Sequence, residues 1–162
     1  MTEPLPRLFE DDGAIHRIGE GLLASDLSRA DWTHEAHLAA CCWMIRERPD
    51  INPEADMRDI ISAYNISCGT VNDDTQGYHE TITQVYIAAV RAHLRAQLGS
   101  VALFQTVNAL LLSPLGRRDL PLKHYTRERM FSAEARCAFI PPDIVPLNDL
   151  NNMAKGLFGK TD

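Results

Sequence analysis

Helix-ending residues at regular intervals most constrain how this chain can fold. Pro49, Gly69, Gly99 and Pro114 each follow a stretch in which apolar residues recur at three- and four-residue spacing, the pattern of an amphipathic helix. No stretch alternates apolar and polar residues as a half-buried strand does. The sequence therefore predicts an all-α protein, most simply an up-down bundle of about five helices with short links. The predicted helices cover residues 12–27, 33–48, 53–68, 78–98 and 101–113.

The remainder of the sequence is less regular. Thr126 and Ser132 are predicted to cap two short helices, and three prolines between residues 141 and 146 predict an extended stretch. We expect 148–162 to be a polar C-terminal tail with at most one weak helical turn. A chain of 162 residues with 45% hydrophobic content is long enough for one core. Residues 1–147 are therefore predicted to form a single helical bundle domain.

The charge pattern narrows the classes of partner. The net charge is −6 and there is no basic block, which argues against nucleic acid. No apolar run approaches the roughly 20 residues that a membrane span needs. The four cysteines form no C-x-x-C pair and are interpreted as reduced thiols of a cytoplasmic protein. A small-molecule substrate or ligand is the expected partner, and a homodimer stays open.

Two histidines stand at the start of the second predicted helix. His34 and His37 are three residues apart, so a helix places both imidazoles on one face. Leu38 and Cys41 of the apolar stripe lie within roughly 60° of His34, so the pair faces inward. Inward imidazoles indicate either a metal site or core histidines satisfied by hydrogen bonds. The pair alone favours the second alternative.

A third histidine makes the metal site the favoured alternative. His79 stands at the start of the fourth predicted helix. Because short links make consecutive helices antiparallel, the second and fourth helices run parallel and begin at the same end of the bundle. His34, His37 and His79 then converge and predict a site for a divalent transition metal, with zinc, iron and copper not distinguished. Three protein ligands leave coordination positions open, as catalytic sites do.

Several residues near these histidines are candidates for supporting roles. Glu80 is predicted to orient a ligand or to act as general base, with a favourable acid at a helix N-terminus as an equal alternative. His124 also falls at this end, where it can join the site or a small anion-binding patch. Three further residues are candidates for the pocket wall, each with ordinary packing as the alternative: Tyr78, Thr83 and Tyr86.

The two motifs together resemble a known group of sequences. Trp32-x-His34-x-x-His37, followed by Tyr78-His79-Glu80-Thr81-x-Thr83, is similar to motifs of a widespread group of small uncharacterised bacterial proteins. That resemblance implies His34, His37, His79 and Glu80 as shared positions and implies no particular activity. In architecture alone, a helical bundle with a three-histidine metal site also resembles the DinB-like metalloproteins.

These observations lead to one main functional hypothesis and two alternatives. The main hypothesis is a small metalloprotein, a metal-dependent enzyme that hydrolyses or oxidises a small molecule. The first alternative is a non-catalytic module that binds a metal or a small ligand in the same pocket. The second is a helical interaction protein whose core histidines are satisfied by hydrogen bonds.

Overall fold

The structure is a computed structural model that describes residues 3–158, with side chains through residue 156. Within that range it contains helices and connecting segments and no strand, so the predicted all-α class is confirmed. Two short 3₁₀ turns cover Arg29–Asp31 and Pro114–Gly116. The α-helices of the described residues are α1 (Asp12–Ala24), α2 (His34–Glu47), α3 (Pro53–Ser67), α4 (Glu80–Ala96), α5 (Leu103–Leu111), α6 (Pro121–His124), α7 (Arg127–Met130), α8 (Ala133–Cys137) and α9 (Asp149–Phe158).

The arrangement is more elaborate than the simplest prediction. Helices α1 to α5 correspond to the five predicted helices, but a five-helix up-down bundle is not confirmed. Helix α9 forms within the predicted polar tail and packs along α4, with Leu150 and Ala154 buried. These apolar residues are four positions apart on one face, so the segment gains buried area only once α4 is beside it. Residues 159–162 of the predicted tail lie outside the described residues.

Local sequence explains where the main helices begin. Asp11 caps α1 by accepting from Ala14 N at 2.8 Å, and Thr33 caps α2 by accepting from Ala36 N at 3.2 Å. Pro53 occupies the first turn of α3, where its missing N–H is not needed. These local signals account for the agreement between predicted and observed helix starts.

Helix α2 lies at the centre of the packing and positions the site. It contacts α1, α4 and α5, and most of its residues from Leu38 to Met44 are buried. Gly19 of α1 lies against the ring of Trp43, where any Cβ would overlap the indole, so a glycine is required for this close approach. Among the described residues, none of the helices is both long and apolar enough to cross a membrane.

Candidate functional site

The first turns of α2 and α4 line the same cavity. His34 and His37 contribute from α2, and Thr83 and Tyr86 contribute from α4, around a volume of about 330 Å³. We call this space the α2–α4 cavity. A neighbouring space of about 440 Å³, the Tyr64 cavity, extends toward α3 and the chain before α4. Both cavities share five wall residues: Trp32, His37, Ile61, Ile82 and Thr83. The two helix starts therefore lie side by side.

His37 stands in the wall shared by the two cavities. Its Nδ1 lies 2.6 Å from the carbonyl oxygen of Thr33, which can only accept, so Nδ1 carries the proton and donates. The neutral ring therefore has an unprotonated Nε2. Trp32 stacks on the imidazole with the ring centroids 3.7 Å apart and the planes at 29°. The side chain is thus held in one orientation and one tautomer, with a lone pair available.

The surroundings of His37 favour the neutral ring. Water reaches the imidazole through the cavities, but protein atoms surround it, and this loss of solvation lowers the pKa of His37 below its ordinary value. The Thr33 carbonyl opposes the shift, and the nearby His34 adds to it. Because the pKa is lowered, His37 is neutral at pH 7 and its lone pair is not taken by a proton.

His34 is fixed by a carbonyl from a distant part of the chain. Its Nε2 donates to Gly116 O at 2.8 Å, and its ring meets that of Tyr86 edge to face at 5.4 Å. Nε2 carries the proton, so Nδ1 of the neutral ring is the unprotonated nitrogen. His34 and His37 therefore share one arrangement, in which one nitrogen is anchored to a backbone carbonyl and the other has a lone pair.

His79 differs from the other two histidines. It is buried and it caps α4, with Nδ1 accepting from Ile82 N at 3.2 Å. Its Nε2 donates to Met130 O at 2.9 Å. Burial lowers the pKa of His79, and the carbonyl of Met130 opposes that shift. Both ring nitrogens are engaged, so a metal would have to displace at least one of these hydrogen bonds to use His79.

Glu80 takes part in a polar network with α3. Its Oε2 accepts from the Tyr78 hydroxyl at 2.9 Å and lies 3.1 Å from Nη2 of Arg58. Its Oε1 accepts from Gln84 at 2.8 Å. Glu80 lines neither cavity, whereas Tyr78 lines the Tyr64 cavity. The carboxylate thus has three partners and none of them is a cavity histidine.

Of the remaining predicted pocket residues, two line a cavity and one is buried elsewhere. Thr83 lines both cavities and donates to His79 O at 2.8 Å, while Tyr86 lines the α2–α4 cavity and donates to Arg117 O at 2.7 Å. His124 is buried and donates from Nδ1 to Val145 O at 2.9 Å. It lines neither cavity.

The described residues contain no cluster of three or more histidine, cysteine or carboxylate side chains arranged for a metal ion. His34 and His37 both border the α2–α4 cavity, and each ring keeps one nitrogen that forms no hydrogen bond among the described residues. Cys41 lines the same cavity, but burial raises the pKa of its thiol, so it is protonated at neutral pH. The three-histidine ligand set stays a prediction.

Tyr64 and Arg29 are among the residues of the Tyr64 cavity that sequence reasoning missed. Tyr64 was visible only as one member of the apolar face of the third predicted helix, yet its hydroxyl is buried in the cavity wall. Arg29 lies in the short link before α2, where no periodic pattern marks it. A tyrosine on a core-facing stripe was the available signal, since a buried phenol needs a hydrogen-bond partner.

Comparisons with protein-family models, curated proteins and solved structures found no match for this chain. The resemblance to the bacterial group with the paired motifs, and to the DinB-like metalloproteins, therefore stays a prediction.

Proposed function

We propose that this protein binds a small organic molecule in the joined α2–α4 and Tyr64 cavities, with His37 as its main polar contact. The observation that carries the proposal is the Nδ1–H bond from His37 to Thr33 O, which leaves a neutral Nε2 beside both cavities. The two volumes fall in the range of about 300–1,000 Å³ typical of ligand pockets. Mixed walls of aromatic, aliphatic and a few polar side chains are also typical of such pockets.

The aromatic residues favour a ligand with a flat apolar body. Trp32 already stacks on His37 and meets Tyr64 edge to face, with those two ring centroids 5.6 Å apart. A planar ligand can pack against Ile61 and Ile82 while a donor group of the ligand reaches His37 Nε2. Such a donor is required because the unprotonated nitrogen can only accept.

The test is a ligand-observed NMR screen of small aromatic and heteroaromatic compounds, followed by titration of each compound that binds. His37→Phe keeps a flat ring against Trp32 but removes Nε2, so the affinity should fall by roughly tenfold or more. Thr83→Trp should block both cavities. His16→Phe is the matched control, because His16 is a surface residue paired with Glu47 at 2.7 Å. If no compound binds saturably, or if binding survives both cavity variants, the proposal is wrong.

A second candidate function is a metal-dependent enzyme that hydrolyses or oxidises a small molecule. One observation favours it: His34 and His37 each anchor one nitrogen on a backbone carbonyl, as metal-ligating histidines commonly do. His79 would be the third ligand after giving up its bond to Met130 O or to Ile82 N. Zinc would favour hydrolysis, and iron or copper would favour oxidation.

Metal content of protein purified without a histidine tag tests this second candidate. His34→Ala or His37→Ala should abolish stoichiometric binding of zinc, iron or copper, and His79→Ala should do so only if His79 is the third ligand. Glu80→Gln should keep the metal, with at most the ~10–100-fold loss of affinity typical of changes around the ligands. Retention of full metal content by the His34 and His37 variants would exclude this site.

Three broader expectations stay predictions. They are a cytoplasmic location, the absence of nucleic-acid and membrane partners, and the open choice between a monomer and a homodimer.

A further inference from the structure

One buried hydroxyl in the Tyr64 cavity lacks an oxygen or nitrogen partner. Tyr64 is 1% exposed, and no oxygen or nitrogen of the described residues accepts a hydrogen bond from its Oη; its neighbour is the Cys68 thiol, which is a weak acceptor. Burial, and to a lesser extent the neighbouring Cys68 thiol, raises the pKa of Tyr64 to about 12, so the hydroxyl keeps its proton. Buried hydroxyls nearly always have a partner, because an unsatisfied one costs about 1–3 kcal/mol. Tyr64 is therefore a donor without a strong acceptor, in the wall of a cavity.

An unpaired cation borders the same cavity. Arg29 is exposed and lies at the rim of the cavity, and it forms no side-chain hydrogen bond or ion pair with the part of the chain that the structure describes. By contrast, Arg58 pairs with Glu80 and Arg117 with Asp119. The positive charge of Arg29 acts against the rise in the pKa of Tyr64 that burial causes. Asp31, which also lies near Tyr64, does not line the cavity and instead accepts from Ser28 Oγ at 2.9 Å.

The polar groups of the cavity thus fall into two kinds. Tyr64 and Arg29 offer a neutral donor and a charged donor, whereas His37 Nε2 offers an acceptor. One guanidinium and one hydroxyl match the single charge and two oxygens of a carboxylate. A phosphate dianion would bring a second charge and a third oxygen for which the cavity wall holds no further unpaired cation among the described residues.

We propose that the ligand of this cavity is a planar monocarboxylic acid, with its carboxylate held between the Tyr64 hydroxyl and the Arg29 guanidinium and its ring packed beside Trp32. This inference rests on the proposed function, because it specifies the ligand class of the same cavities. It assigns the buried Tyr64 hydroxyl the strong acceptor that the protein itself does not provide.

The test compares three probes of similar shape, each with a ring hydroxyl as the donor for His37 Nε2: a hydroxynaphthoate, a hydroxynaphthamide and a hydroxynaphthyl phosphate, called naphthoate, naphthamide and naphthyl phosphate below. Binding to the full chain is measured by calorimetry and by NMR at low salt. Naphthoate should bind at least roughly tenfold more tightly than either of the other probes. Tyr64→Phe should weaken naphthoate binding by roughly 10–100-fold, as expected for a hydrogen bond to a charged group. It should leave naphthamide binding within about threefold. Arg29→Gln should weaken naphthoate binding and remove its salt dependence.

Two controls separate binding from folding. Arg127→Gln changes an exposed arginine that packs over Phe131 away from both cavities, and it should leave naphthoate binding unchanged. Tyr64→Phe should melt at the same temperature as the unmodified protein or higher, because it removes an unsatisfied buried hydroxyl.

The outcomes distinguish this inference from the proposed function. If naphthamide or naphthyl phosphate binds as tightly as naphthoate, or if Tyr64→Phe retains naphthoate, the carboxylate inference is wrong while cavity binding through His37 still stands. If naphthoate does not bind saturably to the unmodified protein, the carboxylate inference is likewise overturned. The separate compound screen then decides the proposed function.

Discussion

The starts of α2 and α4 contain the same residue type in two different roles. His37, in the first turn of α2, uses one ring nitrogen locally and leaves the other beside the cavities. His79, the cap of α4, uses both nitrogens to hold backbone groups. Spacing and helix position made the two histidines equivalent in the sequence. The hydrogen bonds of each ring, counted nitrogen by nitrogen, separate a residue available to a ligand from one that stabilises the fold.

The largest expected effect is on stability at His79. His79→Ala removes the cap of α4, worth about 0.5–2 kcal/mol, and leaves the Met130 carbonyl without its donor, which costs about 1–3 kcal/mol. The free energy of unfolding in urea should therefore fall by about 2–4 kcal/mol. His37→Ala is the matched control and should lose only about 0.5–1.5 kcal/mol, because it removes one hydrogen bond, to Thr33 O, and one ring contact, with Trp32, at a position that water reaches.

Equal losses in the two alanine variants would contradict this division of roles. His79→Asn sharpens the test, because asparagine can still accept from Ile82 N as a helix cap but cannot reproduce the full imidazole geometry. Its stability should fall between that of the unmodified protein and that of His79→Ala.

An intermediate effect is expected at Glu80, which immediately follows His79. Glu80→Ala leaves the Tyr78 hydroxyl without its acceptor and breaks the ion pair with Arg58. The free energy of unfolding should fall by about 1–2 kcal/mol, measured by urea denaturation. Lys123→Ala, which removes an exposed pair with Asp119, is the control and should change stability by less than about 0.5 kcal/mol. A Glu80 variant as stable as the unmodified protein would contradict a stabilising role for this network; the predicted catalytic role of Glu80 stays a prediction.

The smallest expected effect is on pH dependence. The pKa values of His37 and His79 are lowered in the folded protein, chiefly through loss of solvation. The unfolded chain, with histidines near 6.5, therefore binds protons first as the pH falls. The stability associated with these residues is fully present above about pH 6.5 and is lost as the pH falls toward the folded pKa values.

Urea unfolding at about pH 7.5 and about pH 5.5 measures this loss. His79→Asn should reduce the difference in the free energy of unfolding between the two conditions, since asparagine does not titrate. A difference that persists in full in His79→Asn would assign the pH dependence to other groups.

Local sequence was sufficient for the main helices and for part of the site. Thr33 before α2 and Pro53 in the first turn of α3 act over a few residues, so helix starts could be predicted from neighbours in the chain. The expectation that α2 and α4 begin at the same end followed from short links. It predicted that His34, His37, Thr83 and Tyr86 lie close together, and all four line the α2–α4 cavity.

Segments far apart in the chain account for what could not be predicted. Helix α9 has only 10 residues, too few for a stable isolated helix, and its Leu150 and Ala154 are buried by packing against the rest of the fold, chiefly α4. No local sequence pattern determines whether the Tyr64 hydroxyl finds a hydrogen-bond partner. That depends on how α3, α4 and the segment around Trp32 pack against one another.

The sequence by itself determined an all-helical protein with histidines at two neighbouring helix starts, because periodicity and capping are properties of adjacent residues. Only the tertiary structure decided what each histidine does. The carbonyl that engages His34 comes from Gly116 and the one that engages His79 comes from Met130, 82 and 51 residues further along the chain. A ring nitrogen is free or occupied according to which distant backbone group reaches it, and folding alone brings those groups together.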